Sequence, residues 1–155
     1  EVQMRRESNI AIGQNAGKDD LIRSGNQHSA LDRKTVLVVE DISSNYLLIS
    51  AMLSKHYNLL HAVNGEQAVA MVKEYKIDLL LMDMKMPVMD GLTATAEIRK
   101  FDTNIPIVAL TAHAFESDKV AALKSGCNDY LVKPVDKARL MSVLRKYCHP
   151  STLVL

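Results

Sequence analysis

The chain has 155 residues, 48% of them hydrophobic, and a formal net charge of +1. That length suits one domain, the apolar share supports a packed core rather than global disorder, and the near-zero charge argues against nucleic-acid binding by bulk electrostatics. The two cysteines, Cys127 and Cys148, show no metal-ligand spacing and suit a reducing compartment. No apolar run approaches the roughly 18 residues of a membrane span, and no signal peptide is visible. The first residue is Glu1 rather than Met, as expected of a piece of a longer protein.

Residues 1–33 are polar, carry Gly13, Gly17 and Gly25, and hold no sustained apolar period. They read as a flexible linker or tail. Within them GQNAGKD (13–19) has the flavour of a phosphate-binding loop, but that motif needs four residues between its glycines and a hydroxyl after the lysine. Here three residues intervene and Asp19 follows the lysine, so the match fails.

From Thr35 the pattern sharpens. TVLVVE (35–40) is a short β-branched run, as a strand buried on both faces requires. Residues 44–55 follow as a helix with Leu48, Ala51 and Met52 at helical spacing. YNLLHAV (57–63) is the second strand, and 65–75 a helix with Ala68, Met71 and Val72 on one face. DLLLMD (78–83) is the third strand. Residues 91–101 form a helix with Leu92, Thr95 and Ile98 on one side. IPIVALT (105–111) is the fourth strand, and 115–124 a helix stopped by Gly126. DYLVK (129–133) is the fifth strand. Asp136 caps a last helix, with Leu140, Val143, Leu144 and Tyr147 in one stripe.

Strands alternating with helices through short connections force parallel pairing and right-handed crossovers. The predicted fold is α/β: a doubly wound (βα)5, flavodoxin-like sandwich with a parallel five-stranded sheet in the order 2-1-3-4-5. In such sheets the reactive site lies beyond the C-terminal strand ends, near the switch point. Strand one ends on Glu40 and Asp41, strand three on Asp83, strand four on Thr111 and strand five on Lys133, which Pro134 follows. If the fold is right, all five side chains project to one rim.

Three carboxylates gathered there repel one another by roughly 3 kcal/mol per pair at about 5 Å and an effective dielectric of about 20. Raised pKa values or a bound cation would relieve them. An oxygen-only set suits Mg²⁺. Lys133 adds an ammonium and Thr111 a hydroxyl, and together with a metal these are the parts phosphoryl transfer uses. Asp83 can itself be the nucleophile, forming an aspartyl phosphate.

VVEDISSN, LLLMDMKMPVMDG, ALTA and YLVKP, in that order on the expected strand ends, resemble the motifs of response-regulator receiver domains of two-component signalling. The resemblance covers about residues 34–148, leaving 149–155 as a C-terminal tail. The spelling of MPVMDG and ALTAHAF is most like the C-terminal receivers of hybrid sensor histidine kinases. The resemblance implies that Asp83 accepts a phosphoryl group from a histidine. Asp41 would ligand Mg²⁺ directly, Glu40 mostly through water, and the Lys85 carbonyl would be a further ligand. Thr111 and Lys133 would bind phosphoryl oxygens, and Tyr130 would be the aromatic switch that follows Thr111. The bond before Pro134 is cis in the family, and positions such as Lys85 and His113 tune how long the phosphoryl group lasts.

The implied function is a phosphorelay phosphoacceptor, a signalling module rather than an enzyme with an external substrate. Its partners would be a histidine kinase phosphodonor domain and a histidine phosphotransfer protein, with a homodimer also open. Nucleic acid and membrane are not expected partners of this chain, and a cytoplasmic location is. Two other readings compete. A haloacid-dehalogenase-like phosphatase needs a second acid two residues after its nucleophile, where Lys85 stands. A pure interaction module would have no use for the filled acid cluster. Taken singly, Lys133 reads as a solvated charge, Tyr130 as strand packing, and Met82, Met84, Met86 and Met89 as gap-filling core and loop residues rather than soft-metal ligands.

Overall fold

A computed structural model describes residues 32–149. The expectations for the linker with its glycine-rich loop and for the C-terminal tail concern residues that lie outside that range, apart from 32–33 and 149. The strands are β1 (Thr35–Val39), β2 (Asn58–Ala62), β3 (Leu79–Asp83), β4 (Ile107–Thr111) and β5 (Asp129–Val132). The helices are α1 (Ser43–Leu53), α2 (Gly65–Glu74), α3 (Gly91–Arg99), α4 (Glu116–Ser125) and α5 (Lys137–Cys148). They alternate in sequence, and the strands pair in parallel in the order β2-β1-β3-β4-β5. The predicted doubly wound fold is the observed one.

Alternation along each strand splits the core in two. Leu37, Val39, Leu80, Met82, Ile107 and Ala109 face α2, α3 and α4, through Met71, Ala94, Ile98 and Ala122. Val36, Val38, Leu79, Leu81, Val108 and Leu110 face α1 and α5, through Ile49, Leu53, Leu140 and Leu144. Every residue of β3 and β4 is buried, as central strands covered on both faces must be. The methionines fill this interior: Met82, Met84 and Met86 are buried and Met89 packs against them.

Local chemistry sets the helix ends. Asp90 and Asp136 cap α3 and α5, their carboxylates accepting the Thr93 and Arg139 amides. Gly126 closes α4 at φ 116, a conformation that suits glycine. One expectation is corrected. Of the 44–55 stripe only Met52 packs against the core; Leu48 is 61% exposed and Ala51 is exposed, and the buried residues of α1 are Ile49 and Leu53. The helix is apolar on several sides, so its sequence period does not choose among them.

Candidate functional site

The C-terminal strand ends converge on the rim between β1 and β3. Glu40 follows β1 and is fully buried. Its Oε1 accepts the Ile42 amide at 3.2 Å, and its Oε2 takes the Lys133 ammonium at 2.9 Å. Asp83 ends β3 and is 5% exposed. Its Oδ1 accepts the Lys85 amide at 3.1 Å and its Oδ2 lies 3.0 Å from Lys133 Nζ. Glu40, Asp41 and Asp83 each present a carboxylate oxygen, and these oxygens lie within 4.8 Å of one another. Asp41 Oδ1 is buried and has no hydrogen-bond partner among the described residues.

Burial alone pulls the Lys133 ammonium down. Its hydrogen bonds to Glu40 and Asp83, and their charges, outweigh that and leave it above its ordinary value. One ammonium against three carboxylates leaves the cluster negative. A buried carboxylate oxygen without a donor is costly, and the groups that could share a cation with it are the carboxylates of Glu40 and Asp83. The residues therefore fit a hard divalent cation, with Asp41 Oδ1 as the oxygen that most lacks a partner.

Thr111 ends β4, 4% exposed. Its hydroxyl donates to the His113 carbonyl at 2.9 Å, so it is engaged along its own loop rather than with the acids. Its carbonyl accepts the Lys133 amide at 2.7 Å, and the Lys133–Pro134 peptide is cis, as the resemblance implied. Tyr130 on β5 is half-buried against the α2–α4 cluster, with the Lys119 ammonium 4.9 Å from its ring centroid. His113 sits on the exposed loop, 5.1 Å from the Phe115 ring.

The loop from β3 to α3 is tied down on both sides. Met84 N–H donates to Leu110 O at 3.1 Å, Gly91 N–H to Met84 O at 3.2 Å, and Gly65 N–H to Met89 O at 3.0 Å. A Cβ at Gly91 would collide with the carbonyl oxygen of Asp83, so this turn requires glycine. The exposed Val88 sits at its tip with φ 71, where a β-branched residue is an outlier.

Sequence reading passed over one contact. The His61 ring on β2 bonds the Glu40 carbonyl through Nε2 at 2.8 Å and stacks on Tyr46 of α1. No motif announces it, because its partner is a backbone carbonyl on another strand.

A parallel 2-1-3-4-5 sheet with acids, a threonine and a lysine at its C-terminal rim defines the class: a flavodoxin-like α/β domain with an acidic, cation-fitting cleft. The family model described as the response regulator receiver domain matches residues 36–145, and the chain belongs to that family of two-component signalling domains. Hybrid signal transduction histidine kinase M of Dictyostelium discoideum is 40% identical over 119 residues, 72% of this chain and 5% of that protein. Sensor histidine kinase GacS of Pseudomonas protegens is 42% identical over 118 residues, 72% of this chain and 13% of that protein. The chain thus spans a small part of the length of these kinases. Among solved structures, a receiver domain of a sensor histidine kinase from Pseudomonas aeruginosa PAO1, with a magnesium ion coordinated in its active-site cleft, superposes with a TM-score of 0.70. It is 39% identical, and the match covers 74% of this chain and 97% of that one. The receiver domain of Ssk1 from Saccharomyces cerevisiae, solved with the histidine phosphotransfer protein Ypd1, gives a TM-score of 0.71 at 37% identity, covering 74% of this chain and 88% of that one.

Proposed function

We propose that this receiver domain is the phosphoacceptor of a histidine-to-aspartate relay, with Asp83 as the accepting residue. The observation that carries the reading is the buried, partnerless oxygen of Asp41 beside the Asp83 carboxylate, with the Lys133 ammonium bridging Glu40 and Asp83. An Asp83 oxygen attacks phosphorus. The O–P bond forms as the P–N bond to the donor imidazole breaks. The electron pair of that bond returns to the ring nitrogen, which leaves as neutral imidazole when the other ring nitrogen carries the proton. Later attack by water would restore the carboxylate and release inorganic phosphate, so the domain turns over nothing but its own phosphoryl group.

Asp41 and Asp83, with the Lys85 carbonyl, would hold Mg²⁺, and Glu40 would act through water, its own oxygens being taken by Ile42 N–H and Lys133. When bound, Mg²⁺ supplies positive charge to offset the negative charge of the phosphoryl oxygens. Lys133 needs only to shift its ammonium from the carboxylates to a phosphoryl oxygen. Thr111 must release the His113 carbonyl to do the same, and that release reshapes the loop over residues 111–115. Tyr130, packed under α4, would follow into the space vacated, changing the α4–β5–α5 face that partners read.

The donor would be a histidine kinase domain, and the next acceptor a histidine phosphotransfer protein. Ile42, Leu47 and Leu48, exposed by 50%, 63% and 61% where the chain leaves the acid turn, give such a partner apolar surface to rest on. The functional unit would be residues 34–148, with 1–33 as linker and 149–155 as tail, in a cytoplasmic portion of a hybrid kinase. Among the described residues, no helix is long and apolar enough to cross a membrane. Intact mass after incubation with acetyl phosphate and Mg²⁺ tests the reading. One phosphoryl adduct is expected, lost without metal and in Asp83→Asn. An adduct that survives in Asp83→Asn would remove Asp83 from its role.

A further inference from the structure

We propose that His61 is a positioning residue for the cation site, acting through the peptide plane that joins Glu40 to Asp41; this rests on the reading of the acid cluster as a cation site. Glu40 N–H donates to Ala62 O at 3.0 Å, one rung beyond the end of β1. In a parallel ladder the next rung would bring the Asn64 N–H to the Glu40 carbonyl. Asn64 instead leaves the sheet to cap α2, its side chain accepting the Gln67 amide. The Glu40 carbonyl is met by His61 Nε2 at 2.8 Å. A carbonyl only accepts, so Nε2 carries a proton and donates it.

The ring that makes this bond is itself held. Tyr46 lies flat on it, with centroids 3.8 Å apart and planes 8° from parallel. Tyr46 belongs to the first turn of α1, its amide bonded to Ile42 O at 3.1 Å. His61 thus joins the end of β1, its own strand β2 and the start of α1. The carbonyl it holds lies in one rigid plane with the Asp41 nitrogen and Cα. Fixing that plane fixes the base from which the Asp41 side chain projects, and Asp41 carries the buried oxygen that has no partner. The side chain after Asp41, Ile42, makes no capping bond to α1, so the turn depends on such outside contacts.

The test separates donor from ring. His61→Phe keeps a ring to stack on Tyr46 and removes the donor; His61→Gln keeps an amide donor and removes the ring. Mg²⁺ affinity is measured by calorimetry and by the amide shifts of Asp41 and Asp83, with no phosphodonor present. His61→Phe is expected to raise the Kd for Mg²⁺ about tenfold, as loss of a partner that orients a ligand does, and His61→Gln to stay within about threefold of the parent. Equal affinity in His61→Phe and the parent would overturn the proposal. So would an equal loss in both variants, which would make the ring's packing the relevant feature. If His61→Phe does not fold, His61→Gln against His61→Met asks the same question without a ring. A parent chain that binds no Mg²⁺ would sink the cation reading itself, and that result is distinct from any variant's.

Discussion

Asp41 illustrates how a residue of the proposed cation site can work against stability. Its Oδ1 is buried without a donor, and Glu40 and Asp83 present oxygens within 4.8 Å, yet the ammonium of Lys133 lies against those two acids. In metal-free buffer Asp41→Asn removes one charge from this cluster and offers an N–H in its place. It is expected to raise the stability to urea by about 1 kcal/mol, a fraction of the full pairwise repulsion because Asp41 is only partly buried. In saturating Mg²⁺ the order should reverse, since only the native acid gains from the cation. Urea midpoints of both proteins with and without Mg²⁺ check this, and a destabilised Asn variant in metal-free buffer would contradict it. At this scale the acids, Thr111 and Lys133 were legible because each ends an apolar run. The direction of the Thr111 hydroxyl was not, because a rotatable side chain chooses among acceptors that only the folded loop provides.

Among the elements, α1 shows where periodicity stops being informative. Tyr46, Leu47, Leu48, Ile49, Met52 and Leu53 leave apolar groups on several sides of one short helix. Its rotation is set by the turn before it, where the Ile42 amide binds the buried Glu40 carboxylate, and by Tyr46 resting on His61. That rotation places Ile49 and Leu53 against the sheet and leaves Leu48 in solvent. Leu48→Lys is therefore expected to change stability by no more than about 0.5 kcal/mol. Ile49→Ala should cost about 2–4 kcal/mol. Urea denaturation of the two variants checks the assignment, and a large loss from Leu48→Lys would return it to the core. By contrast α2, α3 and α5 bury the stripes their sequences mark, because their opposite faces are polar enough to exclude the alternative.

Over the whole molecule, the sheet is covered on both sides and α5 carries Cys148 into the core shared with α1. Burial, aided by the charge of Asp78 and opposed by Lys34, pushes the Cys148 thiol up to about 11 from an ordinary 9.0. The native state then holds this proton where the unfolded chain has lost it, so stability is full below about pH 9 and falls as pH rises toward 11. The loss is on the order of 2 kcal/mol. Urea midpoints across that range should drop less steeply in Cys148→Ala; parallel slopes would show that the thiol does not titrate with unfolding. Both the element order and the acids at the C-terminal rim were determined by the sequence alone. Strand and helix periods, caps and crossover handedness are local or chain-wide rules that need no coordinates. Only the tertiary structure decided which face α1 buries, that Lys133 bridges Glu40 and Asp83, that Asp41 keeps an oxygen without a partner, and that His61 holds the Glu40 carbonyl. Those contacts join residues 21 to 93 positions apart: the β1–β2 register brings His61 to Glu40, and the order of the whole sheet brings Lys133 across from β5.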